Sequence, residues 1–297
     1  MKIVRLGSVL GVVSGLVACA DQPIPPTVYT AAQLNSVTGP SLEDDDFGPP
    51  MAPPRRYVPR PTPPPPPPQA RVRVLHVNTD RANATVDVYL GDTATPVASA
   101  LAYKSLVGPV SVPPGEHAVA VRPAGAATTA APVVQGRTPA LDGGAQYTTV
   151  AYGGPGLGGR LAFSQDETEA PEAGNSRVRF FHALTGLLAV DVCTVAAAGR
   201  PVAPVFAGVA YGSFGAYTTV PAGGPVTLQV RARLTPNLRP CAGPLRGTVA
   251  VTVPDGAVLT VVAVGRTTGP APATRELLVC TDRVPEGPPS CTAVPIR

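Results

Sequence analysis

Two histidines and two aspartates recur at matched places in this chain. His76 is followed by Asp87, and His182 by Asp191, each pair lying across a polar or turn-forming stretch. Set on consecutive strands, the two side chains could meet across a ladder, where a carboxylate orienting an imidazole makes a general base. The same pair could hold a metal or a ligand, or simply be a buried Asp bonding backbone or His at a turn. No activated Ser or Cys is identifiable beside either pair, and a G-x-S-x-G elbow is absent. The structural use is therefore the expected one, with no catalytic residue assigned. A hydrolase or metal-dependent enzyme built on the repeated pairs is the alternative.

The five cysteines divide into one near the start and four in the C-terminal part. Lys2 and Arg5 precede the apolar run Val9–Ala18, which is too short for the ~20 residues that span a bilayer and fits the hydrophobic region of a signal peptide. It ends Leu16-Val17-Ala18-Cys19, which resembles the lipobox of bacterial lipoproteins. That resemblance implies removal of residues 1–18 and acylation of Cys19, and several acyl chains anchor a protein where one would not. It implies a cell-envelope protein held to a membrane by its N-terminal lipid. Ala20, rather than an acidic residue, follows the Cys, which favours the outer membrane. The remaining Cys193, Cys241, Cys280 and Cys291 are an even set in an exported chain and read as two disulfides. Four cysteines allow three pairings. Cys280–Cys291 is favoured because it closes a short loop containing Pro285, Pro288 and Pro289, leaving Cys193–Cys241. A zinc site fits badly without a C-x2-C pair, and no metal or other cofactor is expected.

Other motifs resolve towards bland readings. Gly154–Gly159 (GPGLGG) matches G-x-G-x-x-G, but Arg160–Phe163 after it reads as a strand, so no helix N-terminus faces a phosphate and the stretch is a hairpin turn. Asn83-Ala84-Thr85 fits a glycosylation acceptor, an idle reading beside a bacterial lipobox. The acidic run Glu43–Asp46 lacks the glycine-punctuated alternation of a calcium loop. Tyr103, with Lys104, and Tyr211, Phe214 and Tyr217 put aromatics near one turn in each half. Such rings could stack on a cell-wall glycan, or cap the ends of a sandwich. Another envelope protein is the other partner considered.

The elements that must position these residues come in two copies. Arg71–Leu90 (RVRVLHVNTDRANATVDVYL) is echoed by Arg177–Val195 (RVRFFHALTGLLAVDVCTV), which sets two copies of one folding unit. The echo continues through Leu101-Ala102-Tyr103 and Val209-Ala210-Tyr211, and through Val112-Pro113-Pro114-Gly115 and Val220-Pro221-Ala222-Gly223. It closes with Gly144–Ala151 and Gly256–Ala263. With 39 Pro and 31 Gly among 297 residues, long helices have no room, and no window shows a 3.6 period. Aromatics are 5% and Trp is absent, so cores must come from Val, Leu and Ala.

In the first copy, strands are expected at 71–77, 85–90, 96–101, 106–112, 116–122, 131–135, 146–152 and 160–163. In the second they are expected at 177–182, 189–195, 202–209, 214–220, 226–233, 248–253 and 258–264. Short strands between turn signals make an antiparallel sandwich. The reading is all-β: two tandem Ig-like or transthyretin-like β-sandwich domains after a disordered Pro-rich stalk. The bounds are 1–18 signal peptide, 19–69 lipidated Cys and stalk, 70–164 first sandwich, 165–176 polar linker, 177–283 second sandwich and 284–297 a tail with a disulfide loop. The stalk is densest in Pro from Pro49 and ends in Pro63–Pro68, an extended spacer. Without the leader's Lys2 and Arg5, 21 basic and 19 acidic side chains remain, so charge gives no reason to invoke nucleic acid.

The order Arg-Val-Arg-Val-x-His, Val-Asp-Val-Tyr, Leu-Ala-Tyr, Val-Pro-x-Gly and Tyr-Thr-x-Val-Ala resembles the domain-of-unknown-function family 4397. The resemblance implies extracellular bacterial modules of β-sandwich type, often in tandem, with no assigned activity and no catalytic residues. Two modules would cover about 70–164 and 177–283. The second departs with Phe180-Phe181 for the aliphatic pair, Cys193 in place of Tyr89, and a Cys-bearing insertion after Arg233.

Overall fold

A computed structural model describes residues 65–297, apart from 92–93, 197–198, 268–273 and 284–289. The signal segment, Cys19 and the stalk as far as residue 64 lie outside the described residues.

The first module contains β1 (Ala70–Asn78), β2 (Thr85–Leu90), β3 (Ala98–Ala102), β4 (Leu106–Val112), β5 (Ala118–Pro123), β6 (Val134–Arg137), β7 (Gln146–Gly154) and β8 (Gly158–Gln165). The second contains β9 (Asn175–His182), β10 (Ala189–Val195), β11 (Pro201–Ala210), β12 (Thr218–Pro221), β13 (Gly223–Ala232), β14 (Leu245–Val253), β15 (Val258–Val264), β16 (Glu276–Arg283) and β17 (Cys291–Pro295). A 3-10 turn at Arg81–Asn83 joins β1 to β2.

Each module is a two-sheet sandwich. The first pairs β4-β1-β7-β8 with β3-β2-β5-β6; the second pairs β12-β9-β15-β16-β17 with β11-β10-β13-β14. The all-β sandwich expectation holds. To its antiparallel ladders each module adds one parallel pair, β1 with β7 and β9 with β15. The strand read as part of the C-terminal tail, β17, extends the second module's five-stranded sheet.

Burial along β1 and β7 shows why the Val-rich runs do not alternate with polar residues. β1 is buried at every position but Arg71, and β7 throughout. Strands covered on one face alternate, whereas strands covered on both read as continuous apolar runs. Val72, Val74, Tyr147 and Ala151 face the first module's own core. Leu75, Val77, Val150 and Tyr152 instead join Phe181, Val262, Val264 and Leu278 of the second module in a separate cluster. The sheets containing β1 and β9 thus pack outer face to outer face, and the two modules form four layers with three cores. The polar stretch between the modules starts inside this packing, because Asp166 is buried one residue after β8 ends.

Candidate functional site

The repeated His and Asp side chains are engaged separately. Asp87 accepts from the Ala100 amide at 2.7 Å and from the Gly125 amide at 2.8 Å. Asp191 accepts from the Gly208 amide at 2.7 Å, the Cys241 amide at 3.0 Å and the Arg233 guanidinium at 3.2 Å. Each Asp sits where the register slips, between Val86 and Val88 and between Val190 and Val192. Opposite it is a residue with left-handed backbone, Ala100 (φ 49°) or Gly208 (φ 63°). The repeated carboxylate therefore satisfies an amide that the bulge frees from the ladder. His76 is 1% and His182 0% exposed. The His76 Nε2 lies 2.7 Å from the Asn83 carbonyl, while His182 Nδ1 accepts from the Leu184 amide at 3.3 Å. The repeated ring partner of each is a tyrosine: His76 meets Tyr103 edge-on at 6.3 Å between centroids, and His182 meets Tyr211 at 5.7 Å. Burial lowers the His76 pKa and brings that of His182 down to about 4. The imidazole–carboxylate contact that general-base chemistry would need is not the one these residues make.

Sequence reading missed the polar residues that organise the molecule. Arg73 and Arg179 occupy the same place in the repeat, and both are 1% exposed. Arg73 donates to Thr148 of its own module at 2.6 Å, but also to Asp282 and to the Thr281 carbonyl of the other, each at 2.6 Å. Arg179 mirrors this, bonding its own Thr260 at 2.8 Å and the first module's Asp166 and Gln165 carbonyl, the latter at 2.9 Å. Thr148 donates to Asp166 at 2.7 Å, and Thr260 to Asp282 at 2.6 Å. Arg73 also pairs with Asp166 at 2.9 Å, Gln146 adds a bond to Asp166 at 3.0 Å, and the Tyr217 hydroxyl reaches Asp282 at 2.6 Å.

Arg73, Arg179, Asp166 and Asp282 are thus buried together as paired charges, the condition under which buried charge is tolerated, with the Arg73 Nε alone of the two guanidinium groups left without a partner. Burial opposes the charge on Arg73, yet Asp166 and Asp282 outweigh it and its pKa is raised. The signal is present in sequence: Asp166, one residue past β8, and Asp282, next to last in β16, occupy corresponding places beyond the echo that closes at Ala151 and Ala263.

The four aromatic candidates line this seam rather than forming an exposed platform. Phe214 packs on Phe181 with centroids 4.5 Å apart and the rings tilted by 50°, and the Arg179 guanidinium lies 4.6 Å from the Phe214 centroid and 4.8 Å from that of Tyr217. Tyr211 meets Tyr152 of the first module at 5.5 Å. Lys104, beside Tyr103, pairs with Glu276 of the second module. Burial raises the Tyr103 and Tyr211 hydroxyls to about 12 and raises Tyr217 as well. All four rings are half-buried.

The cysteines form Cys193–Cys241 and Cys280–Cys291, leaving none of the four thiols to a metal. The first ties the insertion after Arg233 to β10, and the second joins directly opposed residues of β16 and β17.

The repeat order, the parallel pair and the bulge aspartate define the module. Residues 70–193 match the family model of DUF4397, a domain of unknown function. The DUF4397 match takes in the whole first module and ends within β10 of the second. No curated protein gives a significant match to the chain. Among solved structures, one of alpha-glucan binding by a streptococcal virulence factor is 9% identical, with 65% of this chain and 93% of that chain covered and a TM-score of 0.23. Another, of alpha-glucan recognition by family 41 carbohydrate-binding modules from streptococcal virulence factors, is 11% identical, with 68% and 95% covered and a TM-score of 0.22. Likeness at that level carries no ligand to this chain.

Proposed function

We propose that this protein is a lipid-anchored component of the bacterial cell envelope, presenting a non-catalytic scaffold for binding or structure on a Pro-rich stalk. One observation carries the non-catalytic part: the ionisable residues that recur between the modules hold the fold together. The aspartates clamp bulges, the histidines pack against tyrosines, and the arginines exchange carboxylates across the seam. The anchor rests on Leu16–Cys19 and the spacer on the prolines from Pro49 to Pro68. The outer membrane, with the modules on its periplasmic or surface face, is the reading that Ala20 supports.

Metabolic labelling with an alkyne analogue of palmitate tests the anchor. The full chain should incorporate label and sediment with membranes, and Cys19→Ser should lose the label and appear in the soluble fraction. Label retained in Cys19→Ser, or a soluble unlabelled wild type, would overturn the reading.

A further inference from the structure

The second module is hollow at one end. Between its sheets lies a cavity of about 320 Å³, walled by residues from β9 to β16. Its deep end is formed by Phe180, Val192, Phe206, Leu259 and Leu277, all buried. Towards solvent it is lined by half-buried Val205, Val226, Val253, Val261 and Val279, with Pro221 and Thr252 exposed at the rim. Among the described residues no charged side chain lines it, and the side-chain hydroxyls at its wall are those of Thr194 and Thr252.

Comparison with the first module explains the hollow. The ladders place Phe163 opposite Thr149 and Val279 opposite Val261, so Val279 stands where the first module has Phe163. By the same repeat, Leu259 replaces Tyr147 and Thr194 replaces Leu90. The first module also closes this end with the loop before β7, where Leu141 is buried and pairs with Gly115 through two backbone bonds of 2.9 Å. The Tyr147 hydroxyl fixes that loop by accepting from the Asp142 amide at 3.0 Å. In the second module the corresponding connection is residues 254–257, and among the described residues no such plug is present.

The geometry points to this cavity as a binding site for an unbranched hydrocarbon chain, such as the acyl chain of a fatty acid or a membrane lipid. The wall chemistry selects that class. A sugar or a peptide backbone would enter with polar groups that find almost no partners, at a heavy desolvation cost. This argues equally against a strand from the stalk or from a second copy of the chain. A hydrocarbon chain brings no hydrogen bonds of its own that these walls would leave unmet. The volume falls at the lower end of the ~300–1,000 Å³ of small-molecule sites. A carboxylate or headgroup would remain at the mouth, in water. The inference deepens the binding side of the reading above and does not depend on the lipid anchor.

The test is titration of the full chain, carrying Cys19→Ser so that no attached lipid competes, with cis-parinaric acid, a straight-chain fluorescent fatty acid. Saturable binding at one site per chain is expected. Competing straight-chain acids should gain about fourfold in affinity per added methylene until the cavity is filled. Val279→Phe and Thr194→Leu restore first-module side chains and should each weaken binding at least about tenfold, with the circular dichroism spectrum unchanged. Should Val279→Phe fail to fold, the smaller change Thr194→Leu decides alone. Absence of saturable binding, or undiminished binding in the folded variants, would overturn the proposal. Phospholipid vesicles offered in place of the free acid separate the sources: extraction of labelled phospholipid supports a membrane lipid, and uptake of the free acid alone supports a fatty acid. Failure of these titrations would leave the palmitate-labelling result untouched.

Discussion

The two modules share strand order, the parallel central pair and the bulge aspartate, yet their ends are finished by different means. The first closes with side chains and a loop: Tyr147, Phe163 and Leu141 fill the space between its sheets. The second leaves that space open and is held by covalent links, Cys193–Cys241 at the insertion and Cys280–Cys291 at the edge strand. One topology thus tolerates either a packed end or a hollow one, provided a cross-link or added strand supplies what packing does not. What cannot vary between the copies is the face they turn to each other, because both modules contribute matching halves of one buried charge network.

That comparison can be broken first at the seam. Arg73→Ala should cost about 3–5 kcal/mol in urea unfolding, because it strands Asp282 and Asp166 without one of their cations. Arg179→Ala should cost as much; a large inequality would show that the seam is not shared evenly. Next come the cross-links. The loop-entropy relation gives ~4 kcal/mol for the bridge of separation 48 and ~3 kcal/mol for that of separation 11. Replacing either pair by Ser should raise amide exchange first in the second module, in β10 or in β16–β17. Equal and simultaneous exchange in β2–β5 would mean that the two modules open as one unit.

Acidification should act through the histidines. Unfolded, His182 takes up a proton near pH 6.5; folded, only near 4, so between those values the unfolded state binds more protons and stability is lost as the pH is lowered. The loss should reach roughly 2 kcal/mol by pH 5, with His76 adding in the same direction, and His182→Gln should flatten most of that slope in chemical denaturation. The smallest effect concerns the bulge. Ala100 holds a left-handed φ that Gly208 holds in the second module, so Ala100→Gly should stabilise by about 1 kcal/mol and Gly208→Ala should destabilise, read as opposite shifts in Tm.

Much of this architecture is legible in the chain itself. The repeat gives the module count, Val-Asp-Val marks β2 and β10, and Pro-Pro-Gly marks the turn before β5. The seam was not legible, for a physical reason. Alternation in Arg71–Val77 assigns Arg71, Arg73 and Leu75 to one face, and two arginines make that face look solvated. In the folded chain Arg71 is exposed while Arg73 and Leu75 are buried, since the carboxylates that neutralise Arg73 arrive from residues 166 and 282. Local periodicity cannot see partners at that separation. The strands β16 and β17 were missed likewise, because one is short and both are flanked by proline-bearing connections. The His–Asp pairs show the converse case, where the structural use expected of them is the one the aspartates serve, by bonding backbone amides. What the pattern could not show is the division of partners: the bulge claims Asp, and the Tyr of Leu-Ala-Tyr or Val-Ala-Tyr claims His.

The exchanged arginines have one more consequence. Arg73 reaches Asp282 as Arg179 reaches Asp166, so the same patch of each module meets its counterpart reciprocally, the pattern of a twofold homodimer interface. The molecule is in effect a dimer written into a single chain. A lone module of this type would expose a guanidinium and a carboxylate among bare valines, and self-association about the same axis is the arrangement that would cover them. Tandem duplication makes that association independent of concentration, and it lets one half keep a packed end while the other drifts towards a hollow one.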